Sequence, residues 1–133
     1  MKKIFKTKFP IIKNNEEGYL RVIEKNTLPI NVKRVFYIKE NAGAIGGNHA
    51  HILCKQYLIC MNGKVELLCF DGKEEKKYTL EPEGFGVLIN NGIWAQQKYL
   101  INNTILLVIC DRVYEKSDYI YNFEELTSWC KEN

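Results

Sequence analysis

The two histidines of this chain, His49 and His51, lie two residues apart at the end of a glycine-rich stretch, 43–47. On a β-strand, residues i and i+2 point to the same face, so the two imidazoles would lie side by side. Imidazoles titrate near neutral pH and serve as metal ligands or as proton carriers. The pair therefore predicts a metal site or an acid–base site, with two surface histidines adjacent by chance as the alternative.

The spacing around the pair resembles the first motif of the cupins, G(X)5HXH(X)3,4E(X)6G, with glutamine in the place of glutamate. The matching residues are Gly43, His49, His51, Gln56 and Gly63. Of the second cupin motif the chain keeps only Pro82 and Gly84, and it has no third histidine to act as a ligand.

The number of available ligands decides between the two chemistries. A transition-metal site usually has three or four imidazole, thiolate or carboxylate ligands, and two imidazoles with a neutral amide would bind weakly. Asp111 or Glu66 could complete a set of two histidines and one carboxylate, but neither has the expected spacing. We therefore expect no resident metal and predict that the histidines carry protons.

A neutral histidine inside a pocket can remove a proton alpha to a carbonyl group. The enolate oxygen that forms needs a hydrogen-bond donor. Tyr37, on the preceding predicted strand, is a candidate donor; a half-buried strand tyrosine with no role in chemistry is the alternative reading.

Turn dipeptides indicate the fold that positions these residues. Asn62-Gly63, Asp71-Gly72 and Asn91-Gly92 are flanked by apolar or β-branched runs, which is typical of β-hairpins. Strands are predicted at 19–24, 32–40, 49–51, 56–61, 64–70, 76–80, 85–89, 93–99 and 104–110. Their spacing of about ten residues favours a sandwich or barrel.

The last segment changes to helical spacing. Asn122 is a candidate N-cap with Glu125 three residues on, followed by Leu126, Trp129 and Cys130. We predict a short C-terminal helix over 123–131, packed on an all-β, antiparallel barrel. With 133 residues, the chain is expected to form a single domain over 1–133.

Composition excludes some partners. The 19 basic and 16 acidic residues are dispersed along the chain, which argues against a nucleic-acid partner. Five cysteines without a CxxC pair favour a reducing cytoplasm. No apolar run has the length of a membrane span, and the N-terminal residues lack the apolar core of a signal peptide.

Several motifs together resemble the dTDP-sugar 3,4-ketoisomerases, which are metal-independent cupins. They are RVFYI at 34–38, NHAH at 48–51, Gln56, Asn62-Gly63, GIWAQQKY at 92–99 and DRVYEKSDYI at 111–120. The resemblance covers residues 18–126. It implies a cupin jelly roll that works without a cofactor. It also implies an enzyme that makes precursors of 3-amino-3,6-dideoxyhexoses for bacterial surface glycans, including O-antigen, and for antibiotics.

The resemblance also implies a reaction. Such enzymes convert dTDP-4-keto-6-deoxy-D-glucose to a 3-keto isomer by removing the proton from carbon 3, forming an enediol and returning a proton at carbon 4. By motif, His51 is the base, and His49 and Tyr37 assist in proton delivery and oxygen stabilisation. The residues expected to contact the substrate are Gln56, Trp94, Gln97 and Tyr99. The alternative for Trp94, taken alone, is a core residue.

The cation for the diphosphate is less well defined by the sequence. Arg34 is a natural candidate, because guanidinium matches phosphate oxygens. Positions 34 and 37 differ in parity, so on a regular strand they face opposite ways, and Arg34 would serve the outer face, a neighbouring subunit or solvent.

Gly46 stands where relatives often have arginine, which leaves Arg21, Lys33 and Lys98 as further candidates. Glu17, where arginine or tyrosine is expected, leaves the configuration of the product open.

Two other functions fit the same motifs. A nucleotide-sugar 3,5-epimerase would use the same substrate and a histidine base, and a cupin sugar-binding module would not catalyse a reaction. Members of the ketoisomerase family are homodimers that exchange N-terminal strands, and the apolar residues within 1–12 are a candidate for such a strand.

Overall fold

The computed structural model describes residues 4–7 and 11–133. Its strands are β1 (Ile4–Thr7), β2 (Ile11–Asn15), β3 (Gly18–Arg21), β4 (Arg34–Glu40), β5 (Ile45–His51), β6 (Gln56–Asn62), β7 (Val65–Phe70), β8 (Glu75–Leu80), β9 (Gly86–Ile89), β10 (Trp94–Tyr99), β11 (Thr104–Cys110) and β12 (Tyr119–Ile120). A 3₁₀ turn over Lys116–Asp118 precedes β12, and helix α1 spans Phe123–Glu132.

The strands form two five-stranded antiparallel sheets and a two-stranded hairpin of β2 and β3. The first sheet has the order β1-β9-β6-β11-β4, and the second has the order β12-β5-β10-β7-β8. The predicted all-β fold with a short C-terminal helix is confirmed. The helix begins at the predicted residue, where the Asn122 side chain accepts a hydrogen bond from the Glu125 backbone N–H at 2.8 Å.

The largest cluster of buried residues lies between the two sheets and includes Leu58, Leu67, Val87 and Leu106. A second cluster covers the outer face of the first sheet, where residues of the segment 23–30 pack on Tyr57 and Ile109. A third cluster joins helix α1 to the outer face of the second sheet. The outer face of β5 is therefore covered by helix α1.

The sequence predicted a hairpin at each of the three turn dipeptides, but only one of them forms a hairpin. Asp71-Gly72 joins β7 and β8, which pair with each other. Asn62-Gly63 and Asn91-Gly92 instead join strands of different sheets. Their glycines still have positive φ, 81° at both Gly63 and Gly92, and a Cβ at Gly92 would meet the Trp129 ring. The dipeptides mark tight turns, but a jelly roll uses two of the three as crossings between sheets.

The N-terminal strand pairs within its own chain in this structure. Ile4 to Thr7 lie opposite Ile89 to Gly86 at the edge of the first sheet. Residues 1–3 and 8–10, which belong to the segment expected to exchange, lie outside the described residues. Within the described part of the chain, the helices are too short or too polar to span a bilayer.

Candidate active site

A bulge in β5 places the two histidines. Gly47 and Asn48 both have left-handed backbone angles, with φ of 76° and 60°. The register with β10 shifts here, since Ala95 lies opposite His49 and Gln96 lies opposite Gly47, which leaves Asn48 as the extra residue. The Gln96 side-chain amide donates to the Asn48 side-chain oxygen at 2.8 Å. This contact holds a conformation that is unfavourable for residues other than glycine.

Alternation after the bulge separates the faces of β5. Ala50 is fully buried against helix α1 with Leu126, so it faces outward from the barrel. His49 and His51 face the other way, and their ring centroids are 4.9 Å apart. The prediction that both imidazoles share one face is confirmed.

His51 is buried, with 7% of its surface exposed, and is bonded to a carboxylate. Its Nδ1 lies 2.9 Å from Oδ2 of Asp118, while its Nε2 is buried and has no hydrogen-bond partner among the described residues. A carboxylate accepts only, so Asp118 fixes the proton on Nδ1 and leaves the Nε2 lone pair free.

Asp118 is itself held in place by backbone groups. Its Oδ1 accepts from the Leu53 N–H at 2.7 Å, and its Oδ2 accepts from the Cys54 N–H at 3.3 Å. The sequence analysis did not assign Asp118 to the site, although the residue stands in the quoted motif DRVYEKSDYI at 111–120. That motif was the available signal, because 67 residues separate Asp118 from His51.

The pKa of His51 lies below its ordinary value. Burial lowers it by disfavouring the imidazolium, and the hydrogen bond and charge of Asp118 only partly oppose this effect. The ring is therefore neutral at neutral pH, as a general base must be.

His49 lies in more open surroundings. It is half-buried, and its Nδ1 lies 3.0 Å from the backbone carbonyl of Gly47 within the bulge. Burial and the neighbouring His51 lower the pKa of His49, and the hydrogen bond to Gly47 opposes them. Its ring is thus also neutral, but no carboxylate orients it.

Tyr119 covers both histidines from strand β12. Its ring centroid lies 4.5 Å from that of His51 and 5.0 Å from that of His49, and it stacks on Tyr121 at 5.6 Å. Burial raises the pKa of Tyr119, and a hydrogen bond from Arg34 partly opposes that shift. The sequence analysis did not single out Tyr119, because the two-residue strand β12 is too short to be recognised from its pattern.

The first sheet contributes the opposite wall of the site. Arg34, Cys110 and Gln56 lie side by side on β4, β11 and β6. The Gln56 amide donates to the Cys110 sulfur at 3.5 Å. The Arg34 guanidinium lies 4.6 Å from the centroid of the Phe36 ring. Arg34 and Gln56 thus face the barrel interior at the level of the histidines.

The structure does not bring Tyr37 to the histidines of its own chain. Arg34, Phe36 and Ile38 form the inner row of β4, whereas Tyr37 is 73% exposed on the outer face. The parity argument was right that Arg34 and Tyr37 face opposite ways, but it assigned the wrong one to the outside.

Trp94 also lies away from the histidines. It is buried under helix α1, where its ring centroid is 4.6 Å from that of Phe123. The prediction that it lines the pocket is wrong, and its role is to pack the helix on the second sheet.

Gln97 and Tyr99 face the barrel interior on β10 and are buried. Within the part of the chain that the structure describes, Gln97 Oε1 and the Tyr99 hydroxyl have no hydrogen-bond partner, and burial raises the pKa of Tyr99 to about 12. Gln97 lies under Gly47, next to the bulge, and Tyr99 lies under Gly46, further from His51. Their contact with a substrate stays a prediction.

The alternative cations differ in position. Arg21 donates to the backbone carbonyls of Pro82 and Gly84, far along the chain from the histidines. Lys33 and Lys98 are exposed, as is Glu17. Arg34 is therefore the candidate that the structure places beside the histidines.

One group among the described residues has the composition of a metal site. His51, Cys54 and Asp118 are all buried, and their potential ligand atoms lie within 4.8 Å of one another. His49 is not part of this group, so it differs from the two-histidine set of the cupin motif. Asp111 and Glu66 are not part of it either: Asp111 accepts from the Lys55 N–H, and Glu66 pairs with Lys77.

A known protein family matches almost the whole chain. The family model described as "FdtA: WxcM-like, C-terminal" matches residues 2–131. The chain belongs to this family. A curated relative, the TDP-4-oxo-6-deoxy-alpha-D-glucose-3,4-oxoisomerase of Aneurinibacillus thermoaerophilus, is 27% identical over 117 residues, which are 86% of this chain and 84% of the relative.

Solved structures of related FdtA-type proteins have the same fold. QdtA, a sugar 3,4-ketoisomerase from Thermoanaerobacterium thermosaccharolyticum in complex with TDP, matches with a TM-score of 0.92 and 30% identity, covering 99% of this chain and 97% of that chain. WlaRA, a TDP-fucose-3,4-ketoisomerase from Campylobacter jejuni, matches with a TM-score of 0.85 and 31% identity over 94% and 93% of the two chains. The predicted cupin fold and the predicted family are confirmed.

Proposed function

We propose that this protein is a 3,4-ketoisomerase that converts dTDP-4-keto-6-deoxy-D-glucose to a dTDP-3-keto-6-deoxyhexose. The relatives named above carry this activity in their names, and a histidine-to-asparagine variant of QdtA was solved in complex with TDP-4-keto-6-deoxyglucose. The observation that carries the proposal is the buried His51–Asp118 pair with a free Nε2. It supplies the neutral, oriented base that enolisation requires.

The proposed reaction uses the chain's own residues. His51 Nε2 takes the proton from carbon 3, next to the ketone at carbon 4, and the resulting imidazolium is stabilised by Asp118. The electron pair of the broken C–H bond forms the double bond between carbons 3 and 4, and the negative charge moves to the carbon 4 oxygen. That oxygen takes over the proton that the carbon 3 hydroxyl gives up as it becomes the ketone. A proton then returns to carbon 4, from His51 or from the adjacent His49, and the ketone is left at carbon 3.

The developing negative charge on the sugar oxygen requires a donor. With Tyr37 on the outer face, we assign this role to Tyr119, whose ring lies against both histidines, and to Arg34, whose charge acts on both His51 and Tyr119. A guanidinium favours an anion strongly in a site with little water. Gln56 lies on the same wall and is proposed to orient a sugar hydroxyl.

The experiment that tests the activity is incubation with dTDP-4-keto-6-deoxy-D-glucose in deuterated water, followed by NMR. Isomerisation places deuterium on carbon 4 and moves the ketone, whereas 3,5-epimerisation labels carbons 3 and 5. A substrate that binds but is neither labelled nor converted would indicate a binding module. Adding a 3-aminotransferase traps the product, and its spectrum gives the gluco or galacto configuration.

We also propose a homodimer formed by the first sheet, with exchange of the N-terminal strand. Val35 and Tyr37 expose 54% and 73% of their surface on the outer face of β4, and β1 occupies the opposite edge of the same sheet. An exposed apolar face and an edge strand both favour a second copy. Light scattering is expected to give twice the mass of the chain, and Tyr37→Glu is expected to shift it toward the monomer; a wild-type mass of one chain would refute the dimer.

The cellular setting follows from the same proposal. The odd number of cysteines supports a reducing cytoplasm. We place the product upstream of an aminotransferase that makes a 3-amino-3,6-dideoxy sugar for a surface glycan such as O-antigen.

A further inference from the structure

Three different metal-ligating side chains meet behind the proposed base. His51, Cys54 and Asp118 are 7%, 6% and 7% exposed, and an imidazole nitrogen, the thiol sulfur and a carboxylate oxygen all lie within 4.8 Å of one another. A tetrahedral Zn²⁺ site places its ligands about 2.0–2.3 Å from the ion, so its ligand atoms are somewhat less than 4 Å apart. Small side-chain movements would bring the three atoms to these separations.

We propose that His51, Cys54 and Asp118 form a site for a thiophilic divalent cation such as Zn²⁺, and that an ion bound there stops catalysis. The inhibition of catalysis rests on the proposed function, whereas the binding of the ion rests on the geometry alone. It concerns an inhibitory site, and not the two-histidine metal set of the cupin motif, because His49 is not among its ligands.

The site is built for a doubly charged ion. Without metal it holds one carboxylate, a thiol and a neutral imidazole. Binding of M²⁺ releases the thiol proton of Cys54 to solvent, so that one thiolate and one carboxylate neutralise the ion. A neutral cluster costs much less to bury than an isolated charge. Sulfur and imidazole ligands favour zinc over magnesium or calcium.

The position of the ion explains why it would inhibit. The nitrogen of His51 that faces Asp118 is Nδ1, at 2.9 Å. An ion held between these two groups replaces the Nδ1 proton, and that proton moves to Nε2. The Nε2 lone pair is then no longer available to accept the proton from carbon 3, so the turnover number should fall.

The segment that carries Cys54 lies close to solvent. Leu53, between the histidine and the cysteine, is 52% exposed. The cluster therefore has a surface residue as a direct chain neighbour of one of its ligands. The Cys54 thiol donates to the Lys55 carbonyl at 3.4 Å, a weak bond that an ion can replace.

Binding is tested without reference to activity by titrating purified protein with Co²⁺ alone and recording its absorption spectrum. We expect one equivalent to bind with a thiolate-to-cobalt charge-transfer band in the near ultraviolet. Cys54→Ser should lose this band. The matched control is Cys60→Ser, since Cys60 is also buried and also donates to a nearby carbonyl, that of Asn62 at 3.3 Å, and it should keep the band.

Inhibition is tested by adding Zn²⁺ to the working enzyme and expressing each rate relative to the same variant without zinc. Wild type and Cys60→Ser should be inhibited and recover with a chelator, and Cys54→Ser should need roughly tenfold more zinc or higher. The proposal is overturned if wild type shows no thiolate band or if Cys54→Ser keeps it. It is also overturned if zinc binds with the band but leaves turnover unchanged. If the protein does not act on the sugar at all, the proposed function fails, and the cobalt spectra still decide whether the site exists.

Discussion

His49 and His51 are two residues apart on one strand, yet their surroundings differ. His51 is buried and bonded to a carboxylate that two backbone N–H groups hold in place. His49 is half-buried, and its Nδ1 is hydrogen-bonded to the Gly47 carbonyl within the bulge formed by Gly47 and Asn48. Identical side chains on one face therefore have different capacities: one is fixed in a single tautomer with a free nitrogen, and the other is positioned by backbone alone.

The largest expected effect separates the two histidines. His51→Asn should lower the turnover number by about 10³-fold or more, because it removes the base, whereas His49→Asn should cost about tenfold. Both rates are measured by NMR of the ketone product. Equal losses for the two variants would contradict the division of roles.

The next effect concerns what makes His51 different. Asp118→Asn keeps an oxygen for the Leu53 N–H but places an amide where the carboxylate met Nδ1. We expect the turnover number to fall by about 10²-fold with little change in KM, because the imidazole loses its fixed tautomer and its counter-charge. Circular dichroism should show a folded protein. Turnover equal to that of wild type would show that Asp118 serves only the backbone of residues 53 and 54.

Much of this architecture could be predicted from local sequence. Strand β11 was predicted with its observed ends, 104–110, and the start of α1 was correct because the Asn122 cap is a local signal. Period-two alternation placed both histidines on one face. The crossing turns were missed because Asn-Gly specifies backbone angles, and not which strand the chain joins next.

The parts that could not be predicted depend on long-range packing. Alternation separates Arg34 from Tyr37 but does not say which row of β4 faces the core, because each row contains apolar side chains. Asp118 and Tyr119 reach His51 because β12 pairs with β5. Strand β12 is two residues long, and the paired residues Tyr119 and His51 are 68 positions apart in the sequence. No period can be recognised in two residues.

Two tyrosines test the assignment of the oxygen donor. Tyr119→Phe should lower the turnover number by about tenfold, with Arg34 still present to stabilise the oxygen. Tyr37→Phe, the matched change on the outer face, should leave the rate as in wild type. A loss in Tyr37→Phe that exceeds the loss in Tyr119→Phe would reverse the assignment.

The smallest expected effect is on the bulge beneath His49. Asn48→Ala places an alanine at φ 60° and removes the contact with Gln96, so we expect the free energy of unfolding to fall by about 1–2 kcal/mol. Asn48→Gly relieves the backbone strain and should cost less. Urea denaturation measures both, and a loss for glycine as large as that for alanine would mean that the Gln96 contact, which both variants lack, outweighs the backbone conformation.

The most direct test of the account is the exchange of the carbon 3 hydrogen of dTDP-4-keto-6-deoxy-D-glucose, which is followed by NMR for wild type and His51→Asn. The account predicts that the variant still binds the nucleotide sugar but leaves the carbon 3 hydrogen in place for as long as wild type needs to convert the sample. Removal of that hydrogen by His51→Asn at a rate near that of wild type would contradict the role of His51 as the base.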